Sequence, residues 1–284
     1  MAKVAVVTGA SKGLGFAIVK GLCEKLEGTV YLTARDENRS LAAVKRLNDL
    51  GLKPAYHRLD VTDEESVKEF AHYIKTNHGG FDVLVNNAAI LEWDKVYPDY
   101  EAAKRNVETN YKSVLKIEKH LYPLLRDCAR VVNISSSCGH LSNLRKKEWI
   151  EALMKPDLET EDINKFVNEY LESVKNGTFN EADFADEGKH AEHRVSKIAL
   201  TALTMVQQRK YRGRHISINA VHPGLMHTDM AKGMGDQDPD EAAKLVLYLI
   251  TEASPNLKGV FLWHNKKIVD WYDPEGDYYC KGLW

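Results

Sequence analysis

The sequence is poor in the features that would mark a specialised chain. Its 284 residues hold only four cysteines, Cys23, Cys128, Cys138 and Cys280. There is no Cys-x-x-Cys among them and no spacing that suits a metal, which excludes a zinc module and a disulfide-stapled scaffold and reads as free thiols in a reducing compartment. Neither sign of charge prevails, with 39 Lys plus Arg against 41 Asp plus Glu. Nothing in that balance calls for nucleic acid, and no polybasic cluster calls for a membrane surface. No apolar run approaches the roughly 20 residues of a membrane span, and the first strand begins by residue 3, which leaves no room for a signal peptide. Internal repeats and low-complexity linkers are missing too. The expectation is a soluble, cytoplasmic chain without a metal, with residues 1–284 forming one domain.

What is present is an alternation of short β-rich runs with helical patterns. The strand candidates are Val4-Thr8, Thr29-Thr33, Ala55-Leu59, Val83-Val85, Arg130-Ile134, Ile216-Val221 and Val260-Trp263. Such alternation predicts an α/β fold: a Rossmann-type doubly wound parallel sheet of about seven strands, with helices on both faces and ligands at the carboxyl ends of the strands. From about residue 141 to 190 the pattern breaks into an insertion. There Ile163, Phe166, Val167, Tyr170, Leu171 and Val174 form an apolar stripe at helical spacing, expected to pack on the main sheet rather than to form a groove for a partner. From Asp157 to Glu192 acids outnumber bases, which reads as a solvated face.

The most informative stretch is the turn from Thr8 to Gly15, directly after the apolar run Val4-Ala5-Val6-Val7. A buried strand, a glycine-rich turn and a helix leave backbone N–H groups pointing into the space above the helix N-terminus, where a pyrophosphate binds. Leu14, Ile18, Gly21, Leu22 and Leu26 fall on one face of that helix. The end of the second strand decides the nucleotide. An NAD site places an acid there, whereas here Ala34 stands in that place and Arg35 follows it, a planar cation suited to a 2′-phosphate. NADP(H) is the expected cofactor. Lys12 and Arg39 can add charge to the same pocket, and Asp36 is placed to cap the next helix.

The spacing Gly-x-x-x-Gly-x-Gly at residues 9, 13 and 15 narrows the family. Asn86-Asn87-Ala88-Ala89, Asn110, Ile134-Ser135-Ser136-Ser137-Cys138-Gly139 and Pro223-Gly224 follow it in order. On these residues the chain resembles the short-chain dehydrogenase/reductase family. Thr33-Ala34-Arg35-Asp36, Val131-Val132-Asn133-Ile134-Ser135-Ser136, Thr228-Asp229-Met230 and the insertion resemble, more narrowly, the animal carbonyl reductases. The resemblance runs from residue 3 to about 272, and the last dozen residues, rich in Tyr, Gly and Asp, have no counterpart in it. It implies that Gly9, Ser11, Lys12, Gly13, Leu14, Gly15 and Arg35 hold the cofactor. It also implies Asp60 and Val61 flanking the adenine, Asn87 and Ala88 on its ribose side, and Pro223, Gly224 and on through Thr228 at the nicotinamide amide. A similar insertion in that family covers a surface that other members use to form tetramers, so the resemblance implies a monomer.

Carbonyl reduction needs a hydride donor, hydrogen bonds to the developing alkoxide and a proton source. By the family pattern Ser136, Asn110 and Lys197 match three catalytic positions, with the Asn supporting the Lys through water and the Lys also holding the cofactor. The fourth is a departure. Four residues before Lys197, where the family carries tyrosine, stands His193. Residues at i and i+4 share a helix face, so His193 and Lys197 project together. A nearby cation favours ionisation of a phenol but disfavours protonation of an imidazole, so mostly neutral imidazole is expected to face the substrate. His190, one turn earlier, can share a proton or a ligand with His193, or be one of two surface histidines. Two readings stay open. One is an NADPH-dependent reductase of a small, apolar carbonyl compound with His193 in the tyrosine's place. The other is a dinucleotide-binding relative that has left redox chemistry for isomerisation, cyclisation or simple binding. Trp93, Cys138, His140, Leu225 and Met226, by position beside the motifs, are the expected substrate-lining residues.

Overall fold

Alternation by twos decides how the first strand sits. In a computed structural model, which describes residues 2–92, 98–227, 235 and 237–276, strand β1 (Lys3–Thr8) turns Val4 and Val6 to one face and Ala5 and Val7 to the other, all four buried. A strand covered on both faces must be apolar throughout, hence the unbroken run. The same division recurs in β4 (Phe81–Asn86), where Leu84 opposes Val83 and Val85. With β2 (Gly28–Ala34), β3 (Ala55–Arg58), β5 (Leu125–Ile134), β6 (Ser217–Val221), β7 (Phe261–Leu262) and β8 (Ile268–Val269), these strands form one sheet in the order β3-β2-β1-β4-β5-β6-β7-β8.

All seven anticipated strands are present and parallel to their neighbours. The eighth, β8, runs antiparallel to β7. It was not legible because a two-residue strand has no alternation to read; it is set by a tight turn in which Trp263 N donates to Lys267 O at 2.8 Å.

Helices α1 (Gly13–Lys25), α2 (Glu37–Asp49) and α9 (Pro239–Thr251) cover one face of the sheet. The other face carries α3 (Glu64–His78), α4 (Tyr100–Val107), α5 (Ser113–Leu121) and α8 (Ala191–Lys210). The insertion supplies α6 (Lys147–Leu153) and α7 (Thr160–Lys175). Its stripe does form one face of a helix, with Ile163, Phe166, Val167, Tyr170 and Leu171 buried. The partner of that face differs from expectation. The stripe packs on α4, α6 and α8 rather than on the sheet, because α4 and α8 already occupy that side. Trp149 and Phe184 close the layer edge-on, their ring centroids 5.7 Å apart. Each buried large apolar side chain contributes roughly 1.5–3 kcal/mol, so the insertion is fixed to the helix that carries His193. Among the described residues no helix is long and apolar enough to cross a membrane.

Candidate active site

A cavity of about 730 Å³ opens at the carboxyl ends of the strands, where the order reverses between β1 and β4, the place an open α/β sheet offers a ligand. Its floor is the glycine turn. Gly9 takes φ +63°, and a Cβ there would lie 2.7 Å from the Cα of Ala88, so the turn and the end of β4 fit only without a side chain. Asn87 locks the two together, its Nδ2 donating to Thr8 O at 2.8 Å and Gly9 O at 3.1 Å. Ser11, Lys12, Gly13, Leu14 and Gly15 all line the cavity.

The start of α1 differs from that of four other helices. Helices α2, α3, α4 and α9 each begin under an aspartate, Asp36, Asp63, Asp99 or Asp238, that accepts from a backbone N–H, and each carries an acid in its first turn. No side chain caps α1, and its first turn holds no acid. Its backbone dipole therefore faces the cavity without a built-in anion, a donor set that fits a phosphate.

Ala34, Arg35, Asp36 and Arg39 line the neighbouring wall, Arg35 in an exposed position. Asp36 caps α2 as its place in the sequence suggested, accepting from Arg39 N at 2.9 Å and Arg39 Nη2 at 2.7 Å. Asp60 and Val61 line the cavity as well, with Asp60 Oδ1 fixed by Thr62 N and Thr62 Oγ1. Ala88, Pro223 and Gly224 also reach it, whereas Thr228 lies outside the described residues.

At the other end Ser136, His193 and Lys197 meet on one wall. Ser136 Oγ accepts from Cys138 N at 3.2 Å. The turn that carries Ser136 lies tight against α8, since a Cβ on Gly139 would fall 2.2 Å from Ser135 Oγ and 2.9 Å from Lys197 O. That contact is the physical reason for the Ser-x-x-Gly spacing. Lys197 Nζ donates to Ile134 O at 2.8 Å. Burial pushes its ammonium down to about 8, while nearby Cys138 pulls it the other way. His193 is held well below the usual histidine range, first by burial, then by Lys197, His190 and Arg194, against an opposing hydrogen bond from its ring to the Ile90 backbone carbonyl. The imidazole is neutral, as its place beside Lys197 implied. Its Nδ1 is buried and has no hydrogen-bond partner among the described residues.

Asn110 stands behind the wall rather than in it. It sits in a π-helical turn, Glu108–Lys112, a local widening often found at functional sites. Its Oδ1 accepts from Ile90 N at 2.8 Å, and its Nδ2 donates to Ile90 O at 3.0 Å and Ser196 Oγ at 3.1 Å. These bonds position Ile90, a cavity residue, and none of them reaches Lys197.

Of the expected substrate-lining residues, Cys138, Leu225 and Met226 line the cavity. His140 does not. It is fully buried, its ring nitrogens engaged with Ser142 Oγ at 2.9 Å and Asp270 O at 2.8 Å, because the chain turns away at Gly139. Trp93 lies outside the described residues. Wall residues that were not foreseen include Ile90, Leu91, Thr109 and His222; for His222 the signal was its place beside Pro223 at a strand end. Arg194 was also missed. It is fully buried, with Nε donating to Lys189 O at 2.9 Å, Nη1 to Asn143 Oδ1 and Nη2 to Asp186 Oδ2 at 3.3 Å. A charged residue inside a helical run carries no sign of such burial.

A glycine turn under a strand-end cavity, with Ser136 and Lys197 opposite, is an arrangement that comparison can test. The family model described as short chain dehydrogenase matches residues 3–147. The chain belongs to the short-chain dehydrogenases. The NADPH carbonyl reductase 1 of Sus scrofa is 35% identical over 284 aligned residues, covering 97% of this short-chain dehydrogenase and 96% of that protein. The NADPH carbonyl reductase 3 of Mus musculus is 36% identical, covering 87% and 90%. Among solved structures, salutaridine reductase from Papaver somniferum superposes with a TM-score of 0.83 at 30% identity, over 91% of this chain and 99% of that one.

Proposed function

We propose that this short-chain dehydrogenase is an NADPH-dependent oxidoreductase that reduces the carbonyl group of a small, apolar aldehyde, ketone or quinone, with His193 acting where its family carries tyrosine. The observation that carries the reading is a single cavity that joins the uncapped start of α1 and Arg35 at one end to Ser136, His193 and Lys197 at the other. NADPH, when bound, supplies the hydride. The glycine turn and α1 bind its diphosphate, and Arg35 its 2′-phosphate. Ser136 Oγ–H and the His193 N–H donate to the carbonyl oxygen, and the nearby Lys197 ammonium stabilises the charge that develops there. Ile90, Leu91, Cys138, Leu225 and Met226 exclude water around an apolar substrate. With the stripe on α7 covered inside the chain, the enzyme acts as a monomer.

One observation favours a second reading, a family member that binds the dinucleotide without ordinary reduction. A neutral, buried His193 is a poor proton donor by itself. Titration with NADPH, followed by its absorbance during exposure to a panel of aldehydes, ketones and quinones, separates the two. Oxidation with any of them supports the reductase. Binding without oxidation across the panel sinks it.

Two substitutions probe the ends of the cavity. Arg35→Ala weakens NADPH binding about 10- to 100-fold, the worth of one charge-assisted contact, and leaves NADH binding nearly unchanged. Equal losses for both nucleotides would remove the 2′-phosphate assignment. His193→Tyr raises kcat at least about tenfold, since a positioned general acid contributes about 10²–10⁴. A variant that folds, binds NADPH and gains nothing shows that the wall has diverged beyond this one position.

A further inference from the structure

A neutral imidazole shares one hydrogen between two ring nitrogens, and the hydrogen bonds around it decide which nitrogen carries it and how the ring is turned. The ring of His193 donates to the Ile90 backbone carbonyl. Ile90 and His193 both line the cavity, so this bond is made at the wall. Whatever fixes the Ile90 carbonyl therefore bears on what His193 can present to a substrate.

The buried carboxamide of Asn110 takes both backbone groups of Ile90: its Oδ1 accepts from Ile90 N at 2.8 Å and its Nδ2 donates to Ile90 O at 3.0 Å. Nδ2 also donates to Ser196 Oγ at 3.1 Å, with Asn106 Oδ1 farther off at 3.4 Å. Ser196 is fully buried, and its hydroxyl donates to the His193 carbonyl at 2.9 Å, the backward bond that serine can make within a helix. Two routes run from one amide to one histidine, through Ile90 to its ring and through Ser196 to its backbone. The partners come from separate pieces of chain. Ile90 follows β4, Asn110 sits in the π-helical turn between α4 and α5, and Ser196 stands on α8 between His193 and Lys197.

Polarity fixes the direction of each step. The Ile90 N–H can meet only an acceptor and the Ile90 carbonyl only a donor. Ser196 has given its hydrogen to His193 O, so it turns a lone pair to Asn110. An amide answers all three demands, whereas a carboxylate of the same shape answers only the first. None of these bonds leads to Lys197.

Building on the reductase reading, we propose that Asn110 and Ser196 are positioning residues of His193: through the Ile90 carbonyl and the α8 backbone they hold its ring at one angle, with its hydrogen on one nitrogen, until a substrate oxygen takes that bond over. In the empty site the Ile90 carbonyl stands in for the substrate's carbonyl. Exchange of one carbonyl oxygen for the other needs no change of tautomer, so the donor is set before the substrate arrives.

Asn110→Asp keeps the side-chain shape and sets an oxygen against two groups that need a donor. It lowers kcat about 10- to 100-fold, the scale of a misplaced reacting group, while KM and NADPH affinity stay within about twofold. Ser196→Ala lowers kcat about three- to tenfold, the worth of one hydrogen bond, and Ser196→Thr, which keeps the hydroxyl, restores most of it. This second pair decides the matter should Asn110→Asp not fold. A direct readout needs no turnover. In the 15N spectrum of histidine-labelled protein, with His193 assigned from a His193→Gln variant, the ring of the unsubstituted protein gives one protonated and one bare nitrogen. In Asn110→Asp and Ser196→Ala the two resonances move toward their average as the tautomers exchange. An unchanged His193 ring, or an unchanged kcat, in a folded variant overturns the proposal. Failure of the unsubstituted protein to oxidise NADPH with any carbonyl compound would instead count against the reductase reading, while the spectrum still reports on the ring.

Discussion

Arg194→Ala lowers the free energy of unfolding by about 3–5 kcal/mol, the usual result of breaking a buried charged contact by removing one partner, and lowers Tm by about 10 °C. The guanidinium is fully buried and fixes three pieces of chain at once: Lys189 and Asp186 at the end of the insertion, and Asn143 after the Ser136 turn. Asn143 in turn donates from Nδ2 to Ser137 O and His140 O, both at 2.9 Å. Truncation leaves a carbonyl, an amide oxygen and a carboxylate facing a space with no donor. Lysine does not repair the loss, because its compact ammonium lacks the planar fork that reaches three acceptors in different directions. Denaturant unfolding of both variants measures the effect. A change under about 1 kcal/mol for Arg194→Ala would show that the site collapses around the gap and that the network is incidental.

Lys197→Met lowers kcat/KM for carbonyl reduction by about 10³, or roughly 4 kcal/mol of transition-state stabilisation. The substitution keeps most of the stem's volume and removes the charge and the bond to Ile134 O. The pH dependence gives a second, sharper check. Burial pushes the ammonium down to about 8, so activity falls as pH rises above about 8 and the charge disappears. Lys197→Arg retains its charge throughout and abolishes that fall, whatever it does to the maximum rate. Stability moves in the opposite sense. Between about 8 and the ordinary lysine value of 10.5 the unfolded chain binds more protons than the folded one, so this group's contribution to stability rises with pH through that window. A high-pH limb of activity that survives in Lys197→Arg would assign it to another group.

The sheet was legible in the sequence because its signal is short-range. Val4-Ala5-Val6-Val7 and Val131-Val132-Asn133-Ile134 can be read as buried strands from their own residues, and several of the helices between them begin at a local cap, as Asp36 shows by capping α2. The glycine turn, Ser136 and Lys197 could be placed for a similar reason, since each lies at a strand end or one helical turn from a recognisable neighbour. What failed to show was long-range burial. Nothing near residue 194 distinguishes a guanidinium inside the protein from one in solvent, and nothing near residue 140 tells that its ring meets Asp270. The stripe on α7 advertised an apolar face correctly but could not say that helices, rather than strands, would cover it. The π-helical turn at Asn110 depends on one extra residue accommodated by tertiary contacts, which no residue type announces.

The meeting of the Ser136 turn with the last strand has a consequence for how the protein is made. His140 bonds to Asp270 O and Trp271 Nε1 donates to Gly139 O at 2.8 Å, partners separated by 130 and 132 residues. During synthesis the glycine turn and β1 to β4 can assemble early, yet the Ser136 turn lacks this part of its backing until residues 268–271 leave the ribosome. At about 5–20 residues per second that interval lasts roughly 7–26 seconds. A nascent chain released short of Trp271 would then have its glycine turn in place while lacking the bonds from residues 270 and 271 to the Ser136 turn, an order of events in which one end of the cavity matures before the other.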